Sequence, residues 1–173
     1  MMAEPLTVKV LASRVSGRRS PNLVGAIYGT IVATAVVAGL GERHSVAPSR
    51  ALWILLASGL FFWAAHVYAT LLAARIQERR RTKRADVRGA ASQDWPLFQA
   101  TVPLAVPLLL GWLGILGDRT ALAVATAVGV VTLVALGIGF ARREGYGLGG
   151  IVAAASINAG VGLFIIGLKV ALR

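Results

Sequence analysis

His66 is a titratable side chain inside a long stretch of sequence that carries no charge, so it is the first candidate for chemistry. Ser58, Phe62, His66 and Thr70 recur at every fourth position, which places them on one face of a helix. Because imidazole side chains titrate close to neutral pH, this face could belong to a proton or ion pathway. The alternative is a neutral histidine that hydrogen-bonds between helices and only holds them together.

A weakly polar face is also predicted in the first long apolar stretch. Its members lie four residues apart and are Asn22, Ala26, Thr30 and Thr34. Gly25 and Gly29 form a G-x-x-x-G pattern beside it, which lets a second helix approach closely. One hypothesis is that Thr30, Ile31 and Thr34 line a pore. The other is that this face packs inside the protein or against a second copy.

Two further polar side chains lie in the middle of apolar stretches. Asn158, with Ser156 two residues earlier, could line a binding or permeation site, or it could bond to a neighbouring helix. Trp63 must find an acceptor for its indole N–H or pack against a neighbouring side chain. These residues do not form a catalytic set. With two histidines and no cysteine, the sequence predicts no enzyme activity, no metal site and no cofactor.

Five stretches without any charged residue must position these side chains, and each is long enough to cross a bilayer. They are residues 20–41, 51–74, 95–117, 120–141 and 145–168. Only 14% of the residues are charged, against roughly 25% in a typical soluble domain. The sequence therefore predicts an all-α, multi-pass protein of the cell membrane with five transmembrane helices in one domain, residues 20–173, after a basic cytoplasmic arm, residues 1–19.

Charge is confined to the ends of these stretches and the segments between them, so no Asp, Glu, Lys or Arg is expected deep in any span. Proton- and ion-coupled transporters usually need such a group near the membrane midplane. Its absence argues against coupled transport and leaves a passive pathway open.

The distribution of basic residues predicts the orientation of the chain. With the amino terminus inside, 13 Lys and Arg residues lie on the cytoplasmic side and 5 lie outside. The positive-inside rule therefore places the amino terminus inside and the carboxyl terminus outside. The cytoplasmic loop 75–94 is expected to contact anionic lipid headgroups through Arg79, Arg80, Arg81, Lys83 and Arg84. Because no aromatic residues interleave this basic run, nucleic acid is not an expected partner.

The sequence also resembles known families. Residues 27–36, 62–69, 94–96 and 158–163 resemble small uncharacterised integral membrane proteins of actinobacteria, a likeness that implies the fold but no function. Ile31-Val32-Ala33-Thr34, with Trp63 and His66, is similar to the first two helices of the lysosomal and bacterial potassium-channel family. The Phe-Ser-Asp signature of that family is replaced here by Val24-Gly25-Ala26, and that family has six helices per repeat.

Two functional hypotheses remain open from the sequence. The first is an oligomeric channel or passive pathway for a small cation or a proton, lined by the first helix and His66. The second is a non-catalytic accessory or scaffold subunit of a larger membrane complex. Both predict a homo-oligomer or a membrane-protein partner, because five short helices enclose little space by themselves.

Overall fold

The computed structural model describes residues 21–41, 46–78 and 83–171, and within these ranges all regular structure is helical. The amino-terminal arm, residues 1–19, lies outside the described residues. The helices are α1 (Pro21–Leu40), α2 (Pro48–Glu78), α3 (Arg84–Gln93), α4 (Trp95–Gln99), α5 (Val102–Trp112), α6 (Asp118–Arg143) and α7 (Leu148–Ala171). The prediction of an all-α fold is confirmed for this part of the chain.

Three helices are long and apolar enough to cross a membrane without interruption. The qualifying segments are Leu23–Leu40, Pro48–Ile76 and Asp118–Arg143. A fourth candidate is a bent pair, Arg84–Gln99 with Val102–Trp112. The fifth predicted span corresponds to α7, whose apolar stretch Leu148–Phe164 is shorter than a full crossing. The described residues therefore contain three or four candidate spans.

The third predicted span, residues 95–117, needs correction. Its helical structure begins eleven residues earlier, at Arg84, and ends at Trp112. It is also interrupted at Ala100 and Thr101, where the two halves meet at 51°. The physical cause is Pro103, which has no N–H to donate to the carbonyl four residues earlier and whose ring crowds that carbonyl. The third candidate span is thus a broken helix.

Two left-handed glycines terminate α5 and α6. Gly114 has a φ of 75° and Gly145 has a φ of 72°. A residue with a Cβ is sterically strained at such positive φ values, whereas glycine adopts them readily. Beyond each glycine the chain folds back onto its helix, with Ile115 N–H donating to Leu110 O and Tyr146 N–H donating to Ala141 O. These bonds satisfy carbonyls that the end of a helix leaves open.

The core of the bundle lies where α1, α2, α5 and α6 meet. Its buried members are Ala33, Val37, Ala51, Leu52, Leu55, Leu104, Leu108, Leu122 and Ala125. Small residues bring these helices together, since a Cβ on Gly111 would lie 2.5 Å from Ala121 Cβ and 2.9 Å from Pro48 Cβ. Such close contacts between small residues are typical of helix packing in membranes, where van der Waals contact replaces the hydrophobic effect.

Candidate functional site

The position of His66 follows from the length of α2. Trp53 and Arg75 are residue types that favour the two edges of a bilayer, and 22 positions separate them in this helix. At 1.5 Å per residue they are about 33 Å apart, close to the thickness of the hydrocarbon layer. His66 lies 13 positions after Trp53 and hence about 20 Å along the helix, well inside this layer.

The structure brings His66 together with Thr70 and Asp94. Nε2 of His66 lies 4.0 Å from Oδ1 of Asp94. The hydroxyl of Thr70, one turn further along α2, donates to the other carboxylate oxygen, Oδ2, at 3.4 Å. We call these three residues the His66–Asp94 cluster. Both carboxylate oxygens of Asp94 thus face polar groups of α2.

Asp94 bears on the expectation that no acidic side chain lies deep in a span. The sequence places it just before a span that starts at Trp95. In the structure it instead lies between α3 and α4, inside the broken helix that runs from Arg84 to Trp112. It lies level with His66 and Thr70 rather than with Arg75. A carboxylate is therefore present beside His66, inside a candidate broken span.

Neither Ser92 nor Asp94 makes a side-chain capping bond at the start of α4. The hydroxyl of Ser92 donates backward to Gly89 O at 2.9 Å. Asp94 occupies the N-cap position of α4 with helical φ and ψ, without a side-chain bond to the helix end. Its carboxylate is consequently free to face α2.

Aromatic side chains fix the junction that carries Asp94. The indole N–H of Trp63 donates to Ala91 O at 3.1 Å, which confirms that this mid-span tryptophan is partnered. Its ring packs edge-on against Trp95, with centroids 5.6 Å apart, and Trp95 in turn contacts Phe98 at 5.1 Å. Aromatic pairs add roughly 0.5–1.5 kcal/mol each, so Asp94 is held between two anchored positions, Ala91 and Trp95.

The two charged members of the cluster differ in exposure. The side chain of Asp94 is 13% exposed, whereas that of His66 is 53% exposed. His66 therefore connects a nearly buried carboxylate to the outer surface of the bundle. An imidazole that can take up and release a proton beside a carboxylate can pass that proton inward, hold a cation, or bond to a partner helix.

Ser58 is separated from this cluster, although it shares the predicted helix face. It lines a small pocket of about 10 Å³ between α1, α2, α4 and α5, roughly the space of one water molecule. Phe62, Gly29 and Thr101 line the same pocket. The predicted polar face of α2 is thus divided, with Ser58 and Phe62 directed at other helices and His66 and Thr70 directed at Asp94.

The threonines of α1 lie in the interior and bond to their own helix. Thr30 and Thr34 have no exposed surface, and their hydroxyls donate to Ala26 O and Thr30 O, each at 2.7 Å. The Thr34 side chain fills the space beside Gly129 of α6. Neither threonine lines an open path in this structure. Ile31, also predicted to line a pore, is half-buried.

Gly25 and Gly29 do pack closely against another helix, as the G-x-x-x-G pattern predicts. A Cβ on Gly25 would lie 3.6 Å from Leu97 N, and one on Gly29 would overlap Leu97 O. The contact is made with α4 of the same chain. The face from Gly25 to Thr34 is therefore covered within one copy, which corrects the hypothesis that it joins two copies.

Asn158 belongs to the contact between α6 and α7. Its amide donates to Ala154 O of its own helix at 2.9 Å. A Cβ on Gly137 of α6 would come within 2.5 Å of Asn158 Nδ2, so the amide packs directly onto the glycine. Asn158 lies away from the His66–Asp94 cluster, on a helix that contacts α1 and α6.

Of the basic residues predicted to meet lipid headgroups, Lys83 and Arg84 lie at the start of α3. Arg79, Arg80 and Arg81 lie outside the described residues. Lys83 and Arg84 are exposed, and the Lys83 backbone N–H donates to Asp86 Oδ2 at 2.8 Å. The loop 75–94 is thus largely helical where it is described, which the sequence analysis did not predict.

No protein-family model, no curated protein and no solved structure matches this chain. The likenesses to actinobacterial membrane proteins and to a potassium-channel family therefore stay predictions. Within the described ranges there is also no group of three or more His, Cys, Asp or Glu residues that could hold a metal ion.

Proposed function

We propose that this protein is a multi-pass protein of the cell membrane that assembles from identical copies and conducts protons or small cations. The pathway follows the face of α2 that carries His66. The observation that carries the proposal is the half-exposed imidazole of His66 inside the candidate span Pro48–Ile76. Ionisable side chains within membrane spans almost always face a protein interior or a water-filled cavity, because hydrocarbon cannot solvate them.

In this proposal, a second copy of the chain packs over the face of α2 that carries His66. Within one copy, the meeting point of α1, α2, α5 and α6 is filled by side chains without exposed surface, among them Leu55, Leu104 and Leu108. A pathway through that central core is therefore blocked. An interface between copies would place the His66 faces around a shared space, as closed symmetric assemblies do.

The proposed arrangement in the membrane has five spans, with the broken helix as the third and α7 as the fifth. The amino terminus is cytoplasmic and the carboxyl terminus is external, as the count of basic residues favours. Arg84 and Arg88 are exposed at the start of α3, where they would meet anionic lipid headgroups. The proposal includes no catalytic step and no cofactor.

A second candidate function rests on the same exposed face. An accessory or scaffold subunit would use His66 and its apolar neighbours, such as Phe61 and Tyr68, to bind another membrane protein. The filled core favours this candidate, since a scaffold needs no pathway through its own helices. It differs from the channel in requiring a helix of a different protein over His66.

Reconstitution into liposomes separates the two candidates. Purified protein is incorporated into vesicles that contain anionic lipid, and proton, potassium and sodium fluxes are recorded in both directions against empty vesicles. A channel gives protein-dependent flux of at least one of these ions. If every flux equals that of empty vesicles in preparations that retain their helical content, the scaffold candidate is favoured and the channel is rejected.

A further inference from the structure

Resting on the proposed function, we infer that the permeant ion is the proton, and that it passes through His66 and Asp94 rather than through an open pore. Asp94 is thereby the second member of the pathway, after His66. The side chains that can carry a proton and the order of their exposure support this assignment.

A proton needs no open pore, because it can move between titratable groups and single water molecules.

The side chains that could carry a proton are limited to a single pair at this depth. Between Trp53 and Arg75, His66 is the only histidine of α2, and no Asp, Glu, Lys or Arg lies between those two positions. Within 4.0 Å of its ring, the described part of the chain places one charged group, the Asp94 carboxylate. A protonated His66 can therefore pass its charge to one acceptor on the neighbouring helix.

The transfer itself is a simple exchange. Protonated Nε2 of His66 gives its proton to Oδ1 of Asp94, so an O–H bond forms, an N–H bond breaks, and a neutral imidazole remains beside a neutral carboxylic acid. The distance of 4.0 Å between His66 Nε2 and Asp94 Oδ1 must shorten to the roughly 2.7–3.2 Å of a hydrogen bond, or one water molecule must bridge the two atoms. A change of χ1 or χ2 at the half-exposed His66 supplies a movement of this size.

Thr70 is a positioning residue in this scheme. Its hydroxyl donates to Oδ2 of Asp94 at 3.4 Å, which leaves Oδ1 to receive the proton from His66. A carboxylate held at one oxygen and open at the other keeps a fixed orientation toward the imidazole. Thr70 contributes orientation and does not itself carry the proton.

The test uses full-length protein in liposomes with two separate readouts. Proton flux is followed with an internal pH dye while valinomycin and potassium clamp the voltage. Potassium and sodium fluxes are followed with a protonophore present to remove any electrical limit. The variants are His66→Gln and Asp94→Asn, which keep size and hydrogen bonding but cannot carry the proton. Asp118→Asn, at the exposed start of α6, is the matched control.

We expect proton flux without potassium or sodium flux, a loss of tenfold or more in His66→Gln and Asp94→Asn, and no change in Asp118→Asn. Asp94→Glu restores a carboxylate and should recover much of the flux, which guards against a folding defect in the Asn variant. Thr70→Val should give a smaller loss. A metal cation flux without proton flux, or proton flux unchanged in Asp94→Asn, would overturn this inference and leave the channel proposal standing. Absence of every flux would overturn both.

Discussion

Gly29 of α1 lies directly against the carbonyl oxygen of Leu97 in α4, so closely that a Cβ at this position would overlap that oxygen. The contact joins the first span to the segment that follows Asp94. Because α4 also carries the buried Leu97 into the bundle, the spacing between α1 and α4 sets the position of the junction. Small residues at such crossings are how membrane helices reach close contact.

Replacing Gly29 with alanine should therefore destabilise the protein. The added methyl group must push α4 away, and overpacking of this kind costs about 1–3 kcal/mol. Gly39→Ala is the matched control in the same helix, since a Cβ there meets nothing within 4 Å. Unfolding in detergent, followed by circular dichroism, measures both variants. Equal stability of the two would contradict the close contact of α1 and α4.

Trp63→Phe tests the anchoring of α3 against α2. The change keeps an aromatic ring but removes the N–H that donates to Ala91 O, which should cost about 0.5–1.5 kcal/mol. The loss of this bond should loosen α3 locally. It is therefore best measured as faster proteolysis or faster thiol labelling near Ala90, a buried residue of α3.

Trp53→Phe is the control for this change, because Trp53 is mostly exposed and should tolerate it. A cysteine that replaces Ala90 is labelled in each of the two variants, Trp63→Phe and Trp53→Phe. Equally slow labelling in both would show that the hydrogen bond from the Trp63 indole does not hold α3 in place.

The orientation of the chain can be read from single cysteines, because the natural sequence contains none. Cysteine at Arg119, in the first turn of α6, should react from outside intact cells with a membrane-impermeant thiol reagent. Cysteine at Arg84 should react only after the cells are opened. The reverse pattern would place the amino terminus outside and reject the proposed topology.

Assembly through the His66 face predicts a specific cross-link. Ala73 is exposed and lies two turns after His66 on nearly the same side of α2, so a cysteine there should form a disulfide between copies when an oxidant is added. Val131→Cys, exposed on α6, should cross-link much less.

Equal cross-linking at the two positions would indicate random collision in the membrane. Migration as a monomer at every protein concentration in mild detergent would reject assembly itself.

Much of the helical fold could be predicted from the sequence, for a clear physical reason. Uncharged stretches such as 120–141 can be stable in a membrane only as helices, and α6 covers that range closely. The start of the third span was predicted wrongly, because the charged residues Arg84 and Arg88 led to the prediction of a loop where the structure has helix. In the structure, apolar and small residues of α3 such as Ala90 still pack against the bundle.

The candidate site was predicted only in part. His66 and Thr70 follow from four-residue spacing in one helix. Asp94 could not be assigned to them, since its partners lie on another helix and the contact depends on where the broken helix bends. A signal was nonetheless present, because Asp94 is the charged residue directly before the uncharged stretch that begins at Trp95 and Pro96. The buried state of Thr30 and Thr34 likewise depends on a glycine in a distant helix, Gly129.

The measurement that tests the central claim most directly is the water accessibility of two neighbouring positions on α2. Ala69 and Tyr68 are both exposed in a single copy and differ in depth by about 1.5 Å. Ala69 lies on the side of His66, while Tyr68 lies about 160° away from His66 around the helix. Each is replaced by cysteine in the reconstituted protein and treated with a small water-soluble thiol reagent.

If the His66 face borders a hydrated, protein-lined pathway, Ala69→Cys reacts quickly and Tyr68→Cys, facing hydrocarbon, reacts slowly or not at all. The protonated thiol of a lipid-facing cysteine is a poor nucleophile, which sharpens the contrast. Equally slow reaction at both positions would show that lipid covers the His66 face, and it would contradict the proposed pathway.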